Sequence, residues 1–200
     1  MSNLPVKQFL NDLIHQCLKH NVTLRLENKH QIAYGKGIKV GGYFSDEDGK
    51  LTLAIGTKNI LNNWLETLVH ESCHLDQYIE IKNFKKSLLH FNNIDLWLSG
   101  KRFNKIELEK SFKIVKKFEL DCEIRSIKKI KKYNLPINVE KYSQAANLHI
   151  HFYNWLKINK KWPKHSIYSE ELLNLFPKEI SNSHRPSKLI LNKFTEVLEK

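Results

Sequence analysis

Residues 70–74 read His70-Glu71-Ser72-Cys73-His74. On a helix, positions i and i+4 stand about 40° apart around the axis, so both imidazoles can reach one metal ion. Glu71, about 100° round from His70, is close enough to hold a metal-associated water without displacing it. Two ligands and a general base therefore fall within one turn and a half of helix. Chance supplies such a pattern roughly 0.04 times in a chain of this length with this His and Glu content. The apolar spacing of Ile60, Leu61, Trp64, Leu65, Leu68 and Val69 predicts that the motif rides on an amphipathic helix. The plain alternative is a pair of surface histidines.

A catalytic zinc needs three protein ligands and an open position, so a third ligand must come from elsewhere. The segment Phe118-Glu119-Leu120-Asp121-Cys122-Glu123 lies in a long helical stretch. There Leu108, Phe112, Val115, Cys122 and Ile130 all fall within about 60° of Glu119. A carboxylate inside an apolar stripe is costly unless it is paired or bound to a cation. Glu119 is the expected third ligand, while Asp121 projects to the opposite side. Glu123, about 40° from Glu119, is either an alternative ligand or a group that orients a ligand histidine. The structural alternative is a buried Glu119 paired with a lysine. Cys73 and Cys122, beside the expected ligands, read as small buried hydrophobes rather than metal thiolates. Further along, His149 is central to a stripe of Tyr142, Ala145, Ala146, Phe152, Tyr153 and Leu156. His149 is the catalytic candidate there; it, Tyr153 or Tyr142 could donate to a tetrahedral oxyanion. The plainer role is that of satisfied core residues.

His70-Glu71-x-x-His74 followed by Glu119-x-x-Cys122-Glu123 resembles the gluzincin class of metallopeptidases. The same combination resembles short zincin-like proteins of tailed phages. The resemblance implies a zincin-like fold and a Zn²⁺ ion on His70, His74 and Glu119. It also implies that Glu71 takes a proton from water attacking a scissile carbonyl and passes it to the leaving amine. An extended peptide substrate would add as a strand beside the 38–55 hairpin. The chain departs from the class in three places: Cys122 stands where a small residue is usual, Glu123 replaces an Asp, and the gap between His74 and Glu119 is wide. A SprT-like, DNA-linked protease would suit the basic charge, but no C-x-x-C pair supplies its zinc ribbon. The competing expectation is a catalytically inactive zincin-like structural or virion-associated protein, which a fourth protein ligand such as Cys73 or Cys122 would favour.

The elements that must hold these residues follow from periodicity. Pro5, Val6, Phe9, Leu10, Leu13, Cys17 and Leu18 predict a helix over 5–20. Residues 21–56 contain short alternating runs, at 22–26, 38–44 and 51–55, with an Asp48-Gly49 step that favours a tight hairpin. They predict a small antiparallel sheet of about three strands. From about 58 to 199 the pattern is helical, with a long helix over about 104–133 ended by Asn134 and Pro136, another over about 139–160, and shorter ones near 169–176 and 186–199. The expected architecture is α+β, one domain over 1–200, with the sheet packed on a mainly helical body.

At 200 residues and 41% hydrophobic the chain can bury a core without disulfide staples, and its 7 Gly and 5 Pro argue against low complexity. Three scattered cysteines exclude a disulfide framework, no apolar run reaches a bilayer-spanning length, and the start lacks a signal-peptide pattern. The expected compartment is the cytoplasm, that of the host if the chain is phage-encoded. The net charge of +12 could attract nucleic acid, although 29 of the 33 basic residues are Lys rather than the base-reading Arg. Of that charge, +7 falls in residues 101–132, where a solvated helix face is the ordinary explanation. The expected partner is a peptide or protein substrate, with nucleic acid the lesser candidate.

Overall fold

A computed structural model describes residues 4–34, 38–47, 49–82, 84–181 and 187–199. They form two compact units. One comprises residues 1–82 and 125–137, the other 83–124 and 138–200, so the chain passes from unit to unit three times.

The first unit begins with α1 (Leu4–Lys19), whose Val6, Phe9, Leu13 and Cys17 recur at helical spacing and are all buried. The strands β1 (Thr23–Glu27), β2 (Ile32–Tyr34), β3 (Ile38–Val40), β4 (Gly42–Glu47) and β5 (Lys50–Gly56) follow, then α2 (Leu61–Glu80). The sheet differs from the antiparallel one expected. Its order is β1-β5-β4: β4 and β5 form the hairpin, while β1 runs parallel to β5 with Thr23 opposite Thr52. The stretch between Glu27 and Lys50 is long enough to bring the chain back in the same direction, which a short turn cannot do. Part of that stretch forms the separate β2-β3 pair, and Ile32–Tyr34 was not among the expected strands. The run expected at 38–44 divides between β3 and β4. Gly49 takes φ +75° in the hairpin, as the Asp-Gly step predicts, while Asp48 lies outside the described residues. In the middle of the sheet, β5 does not alternate: Leu53, Ala54 and Ile55 are all fully buried, the signature of a central strand covered on both faces. Gly42 marks a close approach of β4 to α2. A Cβ there would lie 2.4 Å from Ile55 Cδ1 and 2.8 Å from Thr67 Cγ2.

The second unit is helical: α3 (Phe84–Leu98), α4 (Lys105–Tyr133), α5 (Val139–Asn159), α6 (Glu170–Leu173) and α7 (Lys188–Leu198). The 29-residue α4 is unbroken, and its residues from Arg125 onward belong to the first unit. Asn138, Ser169 and Ser187 cap α5, α6 and α7 by accepting from Lys141 N, Leu172 N and Ile190 N. The core gathers Phe112, Val115, Leu148, Trp155, Leu172 and Phe194 from four helices. Two amides on α5 fasten the segment after α6. Gln144 Nε2 donates to the carbonyls of Leu173 and Phe176, and Asn147 bonds Pro177 O, Glu179 O and Ser181 N. The fold is thus α+β with a mainly helical body. Among the described residues no helix is long and apolar enough to cross a membrane.

Candidate metal centre

On α2 the buried positions Leu65, Leu68, Val69, Ser72, Cys73 and Leu75 hold the helix in place. His70, Glu71 and His74 are half-buried. His74 Nε2 lies 3.2 Å from His70 Nε2, with the two rings nearly perpendicular at 86°. Two imidazole nitrogens bound tetrahedrally to one zinc at about 2.0–2.1 Å each would stand roughly 3.3 Å apart. The pair is therefore spaced for a shared ion. Gln77, fully buried one turn on, accepts from His74 Nδ1 at 2.8 Å through its Oε1. This bond places the proton on Nδ1 and leaves Nε2 as the lone-pair nitrogen, the tautomer that a metal requires.

Lys129 fixes the other side of α2. Its Nζ donates to Ser72 O at 3.1 Å and to Ser72 Oγ at 2.9 Å, and pairs with Asp76 Oδ2 at 2.7 Å. Asp76 Oδ1 also accepts from Gln16 Nε2 of α1. Ser126 Oγ, on α4, approaches Cys73 Sγ at 3.5 Å. One turn before Ser126 on the same continuous helix stands Cys122, and the ligand atoms of His70, His74 and Cys122 all lie within 4.8 Å of one another. These three side chains could hold a metal ion. Cys122 is fully buried, as a small hydrophobe would be. Its sulfur, which the sequence offered as a ligand only for a structural site, belongs to that 4.8 Å group.

Glu71 is braced by the sheet. Its Oε2 accepts from Phe44 N of β4 at 2.9 Å, and the Phe44 ring packs edge-on to Tyr78, two turns further along α2. Phe44 stands opposite Leu53 in a pair whose N–H groups face away from the partner strand, which is why its amide is available to α2.

Glu119, expected as the third ligand, is buried one turn before Cys122 on α4. Glu123, also buried, accepts from Tyr142 Oη at 2.7 Å and faces His149 Nδ1 at 3.6 Å, so it orients His149 and Tyr142 of α5. His149 in turn lies beside the Tyr153 ring, with centroids 5.5 Å apart. Burial pushes the Tyr153 hydroxyl well above its usual range, and the charges of Glu119, Asp95 and Glu123 add to this, so it stays a protonated donor. The sequence reading also missed Gln77 and Glu66. Both were visible as spacing: Gln77 follows His74 by three residues, and Glu66 precedes His70 by four, on the same helical face. Burial raises the Glu66 carboxyl above the usual range.

Comparison with known proteins finds no match to this chain among family models, curated proteins or solved structures.

Proposed function

We propose that this chain is a zinc-dependent peptidase that grips the ion with His70, His74 and Cys122. The observation that carries this is the 3.2 Å approach of two imidazole nitrogens beside a buried thiol. A carboxylate one residue from His70 is held in place by a strand. Three protein ligands are the pattern of a catalytic zinc, which keeps one position open. When bound, zinc supplies Lewis acidity, polarising a carbonyl and acidifying water.

The remaining work belongs to the chain's own groups. Gln77 holds the His74 ring by its Nδ1–H, so the ring does not turn when substrate arrives. Glu71 spends Oε2 on the Phe44 amide and takes the proton from water at its other oxygen. It then delivers that proton to the departing amine. Because β4 is an outer strand of its sheet, an extended peptide can align along it within reach of Glu71.

A second reading rests on Cys122. A fully buried thiolate suits a closed, structural zinc, and Glu119 is the expected fourth ligand in that case. Glu71→Gln separates the two. In a quenched-fluorescence peptide library the variant should keep its zinc and lose hydrolysis by about a hundredfold or more. Hydrolysis equal to wild type would remove Glu71 from the reaction. A zinc-loaded wild type that cleaves nothing, with Glu119→Gln lowering its zinc affinity, would establish the structural role.

A further inference from the structure

The long helix α4 carries a row of cations that the metal centre does not use. At about 100° per residue, Lys110, Lys113, Lys117, Lys128, Lys131 and Lys132 all lie within about 60° of one line along the helix. All six are exposed. With a rise of about 1.5 Å per residue, the row from Lys110 to Lys132 is about 33 Å long. Within the row, Lys132 Nζ donates to Tyr133 Oη at 3.2 Å and stands over its ring. Lys116 donates to Asn154 Oδ1, Lys129 pairs with Asp76, and Arg125 pairs with Glu80. Two acids fall in the same sector, Glu107 in the first turn and Asp121 between the two groups of three lysines, so the row keeps a clear positive excess.

We infer that this face of α4 docks on the phosphate backbone of duplex nucleic acid. The row is straight because one unbroken helix carries it, and a duplex is a straight rod over such a length. Double-stranded DNA presents one negative charge per about 1.7 Å of axis. A duplex segment as long as the roughly 33 Å row carries on the order of twenty phosphates, of which the row faces those on one side. The chemistry of the row also defines what is read. Lysine is a point charge that meets phosphate without the planar fork that Arg brings to base edges, so binding is independent of sequence. The row carries no aromatic ring on which unpaired bases could stack, which favours a duplex over a single strand. A membrane surface would call for apolar residues along the row, and the one strongly exposed apolar residue in the sector, Ile106, stands at its end.

The test compares two triple variants of the full chain that lose the same charge. Lys113→Gln, Lys117→Gln and Lys128→Gln act on the row. Lys7→Gln, Lys58→Gln and Lys82→Gln remove exposed lysines elsewhere. Binding of a labelled duplex of about 24 base pairs is followed across a salt series, with circular dichroism confirming that both variants fold. The row variant should reduce the slope of log K against log salt by about 2 to 3, and the other variant should leave it near wild type. Equal losses in the two variants would overturn the assignment to α4. So would absence of duplex binding at low salt, or tighter binding to phosphatidylserine vesicles than to duplex.

Discussion

At the scale of single side chains, the His74–Gln77 bond and the Phe44–Glu71 bond fix two groups of the motif. They hold the His74 ring by its Nδ1 and the Glu71 carboxylate by its Oε2. Glu66 gives a measurable consequence of burial on the same helix face. Its folded carboxyl titrates above the unfolded value, so the folded state holds that proton more tightly. Stability therefore falls as pH rises from the unfolded pKa through the folded one, and the cost is fully present above both. Glu66→Gln should raise the melting temperature near neutral pH and leave it close to wild type below about pH 4; an equal effect at both would contradict the burial argument. The histidine pair and Glu71 were legible in the sequence because their geometry is local to one helix. The choice between Glu119 and Cys122 was not, because periodicity shows which face a residue occupies and says nothing about which distant helix meets that face.

At the scale of elements, α2 is held on three sides. Thr67 meets the close-packed Gly42 of β4, Asp76 accepts from α1, and Lys129 of α4 ties Ser72 to Asp76. The Lys129–Asp76 pair is largely sheltered, with side-chain exposures of 17% and 16%. Lys129→Met should destabilise the protein by about 2 kcal/mol in urea unfolding, because it leaves a sheltered carboxylate without its cation. Adding Asp76→Asn should recover part of that loss, and strict additivity of the two changes would show that the pair is not coupled. Helices α1, α4, α5 and α7 were readable to within a residue or two because the 3.6 period and their ends, Asn134 and Pro136 after α4 for example, are written locally, whereas α6 is shorter than the 169–176 expected. The sheet was only partly readable. The β4-β5 hairpin follows from its turn, but the parallel pairing of β1 with β5 joins strands far apart in sequence and leaves no mark in either. The three-residue β2 is too short to show a period.

At the scale of the whole molecule, two compact units are threaded by one chain, and among the described residues α4 is the single helix that contributes to both. The same helix carries a buried thiol and two buried carboxylates toward the interior and a row of lysines toward solvent. Its amphipathic pattern therefore serves both proposals. Sequence periodicity identified each face of α4 but could not show that the chain leaves each unit and returns to it. His70 and His74 of α2 and Cys122 of α4 could hold one metal ion. The most direct test of that shared site is zinc titration of the metal-free full chain, with His74→Ala and Cys122→Ser beside it. We predict one zinc per wild-type chain and an affinity at least about a hundredfold weaker in each variant. A wild-type chain that takes up no zinc, or a Cys122→Ser chain that binds it as tightly as wild type, would contradict it.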